Sequence, residues 1–365
     1  MSDRYTLYGT SFSLYTGKVR SYLGKKGIPF DEVLSTARVY KKFIIPRTGV
    51  RYIPVLQTPQ DEVYQDTTRI IERLEERFPQ TSAYPDQPKQ KLVSLLLEVY
   101  ADEWLVIPAM HYRWAYQYVN QPFIYQQFGK IVSPYLPKFI RGWLGKKLGS
   151  RFKGSLPLLG ITAKSDAAIE VSFLGLLADL ETHFQNHKYL MGNRPCIADY
   201  GFIGPFYAHL YHDPYPGALI RQQAPAVAKW IERMIDGKPE HGSFLENDVI
   251  PDTLLAVLKR MASEQLPVLL DTDEKLSDWR KSNPDTQIPR SIGKHQFTVE
   301  GVSEQRVILP YSLWMFKRPV DFYHDLQGNE KAEVDKLLAK AGFADALSKG
   351  LENRLIRPDN TLTFA

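Results

Sequence analysis

Residues 51–70 read RYIPVLQTPQDEVYQDTTRI, and they are the most informative stretch of the chain. The apolar pair Val55–Leu56 is typical of a buried strand, Pro59–Asp61 predicts a turn, and a short strand pattern resumes before QDTT. The apolar-periodic run RIIERLEERF follows, so Asp66 and Thr67 are predicted to lie at a helix N-terminus. Backbone amides exposed at such an end attract carboxylates. The stretch therefore predicts either an anion site or an ordinary helix N-cap.

The sequence upstream completes an α/β unit. RYTLYGTSFSLYTGKVRSYLGKKGIPFDEVL alternates as a strand up to Tyr8, turns, and predicts a helix over Lys18–Lys26 that ends at Gly27. IPFDEVL predicts a second strand, and the order strand, helix, strand indicates parallel pairing through a right-handed crossover. With the helix expected from Thr67 to Phe78, the order β-α-β-loop-β-β-α is that of a thioredoxin-like domain.

Downstream, the proline-rich linker PQTSAYPDQPKQ is the clearest domain boundary. Four helical patterns follow it, and beyond them residues 294–301 and 305–318 are predicted to be paired strands, with a helix over 329–354. We predict a thioredoxin-like α/β domain, an all-helical domain and an α+β extension of unknown role, at residues 1–83, 84–242 and 243–365.

The charge is distributed unevenly. Between residues 105 and 164 the chain has nine Lys and Arg residues and no Asp or Glu. We interpret residues 120–164 as a basic insertion that attracts an anionic molecule, an acidic partner or a lipid surface, or else as a solvated basic face. The run YLPKFIRGWLGKKLGSRFK, residues 135–153, is the candidate for contact with a membrane surface, but its glycines and prolines argue against a continuous helix there.

The composition limits the class of protein. A chain of 365 residues with 44% hydrophobic residues is expected to form two or three domains with real cores. No apolar run reaches about 18 residues, and no signal-peptide pattern opens the chain, so we predict a soluble cytoplasmic protein. The single cysteine excludes an internal disulfide. His183 and His187 lie four residues apart without a third ligand in register, so we predict surface histidines and no metal. No nucleic-acid-binding pattern is present.

Four stretches resemble landmarks of the glutathione S-transferase superfamily and occur along the chain in the family's order, and the resemblance covers about residues 4–240. YIPVL resembles the strand that carries the family's cis proline, and QDTTRIIERLEERFP resembles its helix start. YLMGNRPCIADYGF resembles the family's Leu-x-Gly-x-x-Pro-Ser/Thr-x-Ala-Asp stretch, and FSLYTGKVRSYLGKKGIPF resembles the segment with the catalytic serine or cysteine. The resemblance implies a thioredoxin-like domain followed by the all-helical domain of this family.

The resemblance implies a glutathione site at the stretch quoted first. Ile53, before a cis Pro54, would hydrogen-bond the cysteinyl part of glutathione as an added strand would. Thr67 would give its hydroxyl and N–H to the γ-glutamyl carboxylate, and Asp66 would accept from the α-amino group. The glycine carboxylate needs a cation, for which the candidates are Lys41, Lys42 and Arg51.

By position, Ser13 corresponds to the family's catalytic residue, and Ser11, Tyr8 and Tyr15 are alternatives. Leu14 stands where many relatives have proline, which leaves the register open. Serine there favours conjugation over thiol–disulfide chemistry. The second substrate would bind on or near the first helix of the helical domain, where aromatic or soft side chains either line a pocket or pack a core: Trp104, Met110, His111, Tyr112, Trp114.

These observations lead to one expectation and two alternatives. We expect a glutathione transferase-like enzyme that uses glutathione as cosubstrate on an electrophilic, mostly apolar small molecule, and we expect a homodimer because the family usually forms one. The alternatives are a binding or scaffold protein of the same fold, and glutathione-dependent isomerisation, dehalogenation or ether cleavage. Fold alone does not separate them.

Overall fold

The computed structural model describes residues 4–284 and 286–365, which form two compact units. The first unit comprises Met1–Ala83, Pro108–Leu156 and Asp199–Gly242. The second unit comprises Tyr84–Ile107, Pro157–Ala198 and Ser243–Ala365.

The chain is mainly helical, with one four-stranded sheet near its start. In chain order, the elements up to residue 242 are β1 (Tyr5–Gly9), α1 (Leu14–Lys26), β2 (Phe30–Leu34), α2 (Ala37–Val39), a π-helical turn (Tyr40–Ile44), α3 (Ile45–Thr48), β3 (Val55–Gln57), β4 (Val63–Gln65), α4 (Thr67–Arg77), α5 (Pro88–Glu103), α6 (Val106–Ala115), α7 (Gln117–Val132), α8 (Lys138–Lys153), a 3₁₀ turn (Leu156–Leu159), α9 (Asp166–Asn186), α10 (Ile197–Pro205), a π-helical stretch (Phe206–Tyr211), α11 (Pro214–Gln223) and α12 (Pro225–Ile235).

The remaining elements combine helices with two small hairpins. They are a 3₁₀ turn (Glu246–Asp248), α13 (Asp252–Glu264), α14 (Leu266–Ser282), β5 (Lys294–Val299), β6 (Val302–Val307), α15 (Pro310–Asp325), α16 (Gly328–Ala341), α17 (Ala344–Ser348), β7 (Leu355–Ile356), a 3₁₀ turn (Pro358–Asn360) and β8 (Thr363–Phe364).

The sheet of the first unit has the strand order β2-β1-β3-β4. β1 and β2 are parallel, as the α1 crossover requires, and the other two pairs are antiparallel. On α4, three apolar side chains have no exposed surface: Ile70, Ile71 and Leu74. Full burial of each such side chain stabilises the fold by roughly 1.5–3 kcal/mol, so the apolar period read from the sequence is what holds α4 in place.

The basic insertion folds differently from its prediction. Glycines and prolines were expected to interrupt it, yet α7 and α8 are two continuous helices of 16 residues each that pack against one another. A Cβ on Gly129 would lie 2.1 Å from the Arg141 carbonyl oxygen, and one on Gly145 would lie 1.7 Å from that of Tyr125. The glycines permit a close helix–helix approach, which offsets their low helix propensity of about 1 kcal/mol each.

The residues after 243 pack onto α5 and α9 within the second unit. Glu264 of α13 accepts hydrogen bonds from Trp104 Nε1 (2.9 Å) and Ser172 Oγ (2.6 Å), and Arg318 of α15 donates to Glu98 (2.5 Å). The extension therefore shares a polar, hydrogen-bonded core with these two helices. The division into three domains at residues 83 and 242 stays a prediction.

Two parts of the extension were predicted wrongly. The helix expected over 329–354 is interrupted at Gly342, which has φ of 86°, and α17 ends at Ser348. The antiparallel pair β5–β6 is present, but the strand expected over 305–318 ends at Val307 and gives way to α15. Pro310 stands in the first turn of that helix, where its fixed φ fits and its missing N–H costs nothing. Leu313 and Phe316, three residues apart, are fully buried, which is a helical period.

His183 was expected at the surface, and this is wrong. Its side chain is fully buried, and its Nδ1 lies 2.8 Å from Thr253 Oγ1. Burial, helped by the neighbouring charge of His187, lowers the pKa of His183 to about 4. Among the described residues, no three His, Cys, Asp or Glu side chains are grouped closely enough to hold a metal ion.

We expect the free energy of unfolding to fall as the pH drops from about 6.5 towards 4. In this range His183 binds a proton in the unfolded chain but stays neutral in the folded chain. This contribution is fully present above the ordinary pKa of 6.5 and is lost on acidification towards the folded value of about 4. The shift corresponds to about 3 kcal/mol.

Urea unfolding at several pH values checks this expectation. His183→Gln should flatten the pH dependence, whereas His241→Gln, which changes an exposed histidine, should leave it unaltered. Equal pH profiles for wild type and His183→Gln would contradict it.

Within the described residues, no helix combines the length and the apolar character needed to span a membrane.

Candidate functional site

The strand register brings three segments of the first unit to one edge of the sheet. Tyr8 pairs with Val55, and Val55 pairs with Gln65, at the last rungs of the two antiparallel ladders. The chain therefore leaves β1, enters β3 and leaves β4 at the same edge. The segments that meet there are residues 10–13, 53–54 and 66–67.

The middle segment presents unpaired strand backbone. The Ile53–Pro54 peptide bond is cis, as the family resemblance implies. Val55 is paired on both sides, but among the described residues neither the N–H nor the C=O of Ile53 makes a hydrogen bond. Such a backbone can accept an extended peptide as an added strand.

Two helices begin at this edge. Ser13 is the N-cap of α1 and Asp66 is the N-cap of α4, which have 13 and 11 residues. Asp66 has φ of 85°, and its Oδ1 accepts from the N–H of Thr68 at 3.0 Å. Thr67 is only 4% exposed, and its hydroxyl has no hydrogen-bond partner among the described residues. Backbone amides and a hydroxyl at a helix N-terminus suit a carboxylate, and the Asp66 side chain suits an ammonium group.

The Ser13 hydroxyl has its hydrogen available. Its Oγ accepts from the N–H of Thr16 at 3.3 Å, and in the part of the chain that the structure describes it donates to no group. A hydroxyl that accepts from the helix and lies at its positive end can donate to an anion placed above it.

The alternative hydroxyls differ from Ser13 in their surroundings. Tyr8 donates to Gln57 Oε1 at 2.8 Å and stacks on Phe43 with 4.2 Å between ring centroids, and burial raises its pKa. Ser11 is exposed, and Tyr15 is half-buried inside α1. The choice of Ser13 stays a prediction.

The predicted cations are accessible. Lys41 and Lys42 lie on the π-helical turn and are exposed, as is Arg51. Arg47 is nearby in sequence, but its Nη1 donates to Asp61 Oδ1 at 3.0 Å, which commits it to the β3–β4 turn. The sequence did not decide which of Lys41, Lys42 and Arg51 binds the glycine carboxylate. All three are exposed in the structure, so the choice among them stays open.

A buried ion pair behind the site was missed by the sequence analysis. Arg113 on α6 donates to both carboxylate oxygens of Asp213, at 2.7 and 2.8 Å, and its guanidinium lies 5.7 Å from the ring centroid of Phe12. Phe12 directly precedes Ser13. The available signal was a charged residue inside each of two apolar helical patterns, AMHYRWAY and HLYHDPYP.

His209 supports the same loop. It is buried on the π-helical stretch, near the backbones of Phe12 and Ala109, while its Nδ1 has no partner among the described residues. Burial, and then the charge of Arg113, hold the pKa of His209 well below its usual range, so the ring is neutral at neutral pH. Its role could not be found from the sequence because the contact is entirely tertiary.

The residues predicted for a second-substrate pocket are all buried. Trp104 belongs to the second unit, where its Nε1 donates to Glu264. The other four lie on α6 in the first unit: Met110, His111, Tyr112 and Trp114. There Trp114 stacks on Phe128 with 6.2 Å between centroids, which is ordinary core packing. The pocket stays a prediction.

Similar solved structures include a GST-like protein from Pseudomonas syringae, with 20% identity, 71% of this chain and 73% of that chain covered, and a TM-score of 0.44. Glutathione transferase GSTFuA3 from Phanerochaete chrysosporium is 16% identical, with 65% and 98% covered and a TM-score of 0.45. A glutathione S-transferase from Methylobacterium radiotolerans, solved with glutathione sulfonate, is 18% identical, with 67% and 100% covered and a TM-score of 0.40. No curated protein matches the chain by sequence.

Two family models match the chain. Residues 7–82 match the glutathione S-transferase N-terminal domain, and residues 164–236 match the glutathione S-transferase C-terminal domain. The predicted fold class is confirmed: a domain with a mixed four-stranded sheet, a helical domain, and additional C-terminal helices and strands. Residues 7–82 and 164–236 are therefore the two domains that characterise the glutathione S-transferase superfamily.

Proposed function

We propose that the protein binds glutathione at the sheet edge formed by residues 10–13, 53–54 and 66–67, and activates its thiol for attack on an electrophilic, mostly apolar small molecule. The observation that supports this most is the strand register, because it places an unpaired strand backbone between two helix N-termini. A peptide with a thiol in its middle and carboxylates at its ends matches that arrangement.

The cysteinyl residue of glutathione would extend along Ile53. Its N–H and C=O would complete the hydrogen bonds that the Ile53 backbone lacks among the described residues. This mode of binding uses backbone groups only, so it holds the peptide without selecting a side chain.

The charged ends of the peptide would occupy the flanks. The γ-glutamyl carboxylate would accept from the Thr67 hydroxyl and the first amides of α4, and its ammonium would donate to Asp66. The glycine carboxylate would meet one of the exposed cations, Lys41, Lys42 or Arg51. Hydrogen bonds with a charged partner contribute roughly 1.5–3 kcal/mol each, so the two ends account for most of the affinity.

Activation concerns the thiol of glutathione rather than a protein nucleophile. A free thiol has a pKa near 8.5, so little thiolate exists at neutral pH. A decrease of about two units corresponds to about 2.7 kcal/mol, which one or two charge-assisted hydrogen bonds can supply. The Ser13 O–H at the start of α1 would donate to the thiolate, and the helix N-terminus would add its partial positive charge.

In the proposed reaction the thiolate sulfur forms a bond to an electrophilic carbon of the second substrate. That carbon releases its leaving group as an anion. Where it belongs to an activated double bond, the electron pair of that bond instead moves to the neighbouring carbon, which takes a proton from water. The thiol proton passes to solvent when the thiolate forms. No oxidant or further group is needed. We also propose, from the family resemblance, a cytoplasmic homodimer.

The binding step is tested by calorimetric titration of glutathione into wild type and Asp66→Asn. Asparagine is as good an N-cap as aspartate and tolerates the positive φ at this position, so the helix should stay intact. Loss of the charge partner for the ammonium group should weaken binding by about 10- to 100-fold.

Glu76→Gln is the matched control, because it removes one negative charge from the exposed face of the same helix. Its affinity should equal that of wild type. If wild type gives no binding heat and no protection of glutathione from chemical modification, the proposal fails. Asp66-dependent binding with no turnover on any electrophile would instead favour a scaffold protein of this fold.

A further inference from the structure

The helical hairpin α7–α8 has a surface that neither folding nor the proposed catalysis uses. Its two helices and the connecting loop span residues 117–153, where seven Lys and Arg residues occur without a single Asp or Glu. On a helix surface, acidic residues three or four positions away can compensate such charges. Here no acidic side chain of the hairpin can do so, and Lys147 and Arg151 form a like-charge pair at helical spacing.

Three large aromatic side chains stand out from this hairpin. Tyr135 in the loop is 94% exposed, and Phe139 and Trp143 on α8 are 78% and 66% exposed. They lie four residues apart, so in the helix Phe139 and Trp143 share one face. Such exposure calls for an explanation, because a contiguous apolar patch on a soluble protein usually marks a contact site.

The aromatic and basic side chains of α8 occupy the same face. At about 100° per residue, positions 139, 143, 146, 147 and 150 fall within about 100° of the helix circumference. Lys146 and Lys147 are exposed there. The opposite face carries Gly145 and Gly149, which are buried against α7. The glycine face of α8 therefore packs against α7, and the bulky side chains of this helix segment face away from α7.

We propose that the outward face of α8, together with Tyr135, docks the protein on an anionic lipid surface. Phe139 and Trp143 would enter the boundary between headgroups and acyl chains, and Tyr135 would lie at headgroup level. Lys146 and Lys147 would lay their methylene stems along the apolar layer and reach lipid phosphates with their ammonium groups.

The charge of the hairpin favours a lipid surface over a second copy of this chain. A symmetric contact through this face would set Lys146 and Lys147 against the same lysines of the second copy, on a hairpin with no acidic residue, and like charges repel. A purely electrostatic partner, such as a soluble polyanion, would use the lysines but would gain nothing from exposed Phe139. An anionic bilayer offers an apolar layer for the aromatic side chains and phosphate groups for the lysines.

The absence of a spanning helix in the described residues is compatible with this mode, because a surface-bound helix lies in the plane of the interface. The proposal does not depend on glutathione binding, since no residue of the hairpin belongs to the sheet edge described above.

Vesicle co-sedimentation tests the proposal with the full-length protein. Wild type should sediment with phosphatidylcholine vesicles that contain phosphatidylserine and stay in solution with phosphatidylcholine alone. The double variant Phe139→Ser/Trp143→Ser should lower partitioning by at least about tenfold, because two large aromatic side chains no longer leave water. The Lys146→Gln/Lys147→Gln variant should also bind more weakly, and added salt should weaken wild type.

The matched control is Val171→Ser/Leu174→Ser, which removes two exposed apolar side chains from α9. It should bind vesicles as wild type does. Because all the changed side chains are exposed, the thermal unfolding profile of each variant should match that of wild type. Trp143 gives a second readout, since its emission should shift to shorter wavelength on anionic vesicles and the shift should vanish in Trp143→Phe.

Three results would overturn the proposal. Wild type could stay in solution with anionic vesicles. The Phe139→Ser/Trp143→Ser variant could bind them as well as wild type while a soluble polyanion such as heparin competes, which would indicate an acidic macromolecular partner. The same variant could change the oligomeric state measured without lipid, which would assign the aromatic face to a contact between copies.

Discussion

Replacing Asp213 with asparagine is expected to lower the free energy of unfolding by about 3–5 kcal/mol, because the change leaves a buried charge without its partner. Asp213 has no exposed surface, and Arg113 donates to both of its carboxylate oxygens. Without the carboxylate, a guanidinium that cannot be deprotonated stays buried and uncompensated. Because a typical domain is stable by only about 5–15 kcal/mol, the variant should denature at much lower urea concentration.

Two further variants make this result specific. Asp278→Asn carries the same substitution at an exposed ion pair, with Lys281 at 3.1 Å, and should change stability by less than about 1 kcal/mol. The double variant Arg113→Met/Asp213→Asn should be more stable than Asp213→Asn alone, since it removes the unpaired charge together with its partner. If Asp213→Asn unfolds at the urea concentration of wild type, the ion pair does not stabilise the first unit.

The ion pair should also influence the site indirectly. Arg113 lies over the ring of Phe12, and the buried His209 lies near the Phe12 backbone, so both act as positioning residues for the loop that ends at Ser13. Under conditions where Asp213→Asn is still folded, we expect weaker thiol activation with glutathione affinity less affected, because Asp66 and Ile53 belong to other segments.

Removing the Ser13 hydroxyl is expected to raise the pKa of bound glutathione thiol by about one to two units. A hydrogen bond to a charged group contributes roughly 1.5–3 kcal/mol, and about 1.36 kcal/mol corresponds to one unit. Ser13→Gly is the suitable variant, since glycine at an N-cap costs only a few tenths of a kcal/mol whereas alanine costs about 1 kcal/mol. The ultraviolet absorbance of the thiolate, followed against pH with glutathione bound, measures the shift.

The rate of conjugation at pH 7 should fall by about 3- to 25-fold in Ser13→Gly, in proportion to the lost thiolate. Ser11→Ala removes an exposed hydroxyl two residues away and should leave both the titration and the rate unchanged. If Ser11→Ala shifts the titration and Ser13→Gly does not, the role belongs to Ser11. If neither does, Tyr8 and Tyr15 are the remaining candidates.

The elements of the first domain were predictable because their signals are local. The alternation before Tyr8, the apolar period after Thr67 and the N-cap at Asp66 each depend on residues within one or two helical turns. Each part of this local reading matches the structure at β1, α1 and α4 to within a few residues. The cis bond at Pro54 was different, since it followed from the family resemblance and not from the residues.

The errors occurred where a local preference is overruled by a distant neighbour. Gly129 and Gly145 suggested a broken segment, but they allow α7 and α8 to pack within backbone contact. The β-like run after Val307 forms helix α15. Pro310 is suited to the first turn of that helix, and the buried face of α15 packs into the second unit. His183 was predicted to be a surface residue, but other segments of the second unit bury its side chain.

From the sequence alone one could read the fold class, the position of the proposed glutathione-binding segment, the basic character of residues 105–164 and the family itself, because these depend on residue type, period and order. Only the tertiary structure decided that Arg113 meets Asp213 behind Phe12, that the Ile53 backbone is unpaired beside two helix N-termini, and that the aromatic side chains of α8 face outward. Each of these depends on which residues far apart in the chain come into contact, and such contacts are selected by packing and desolvation over the whole fold rather than by any local pattern.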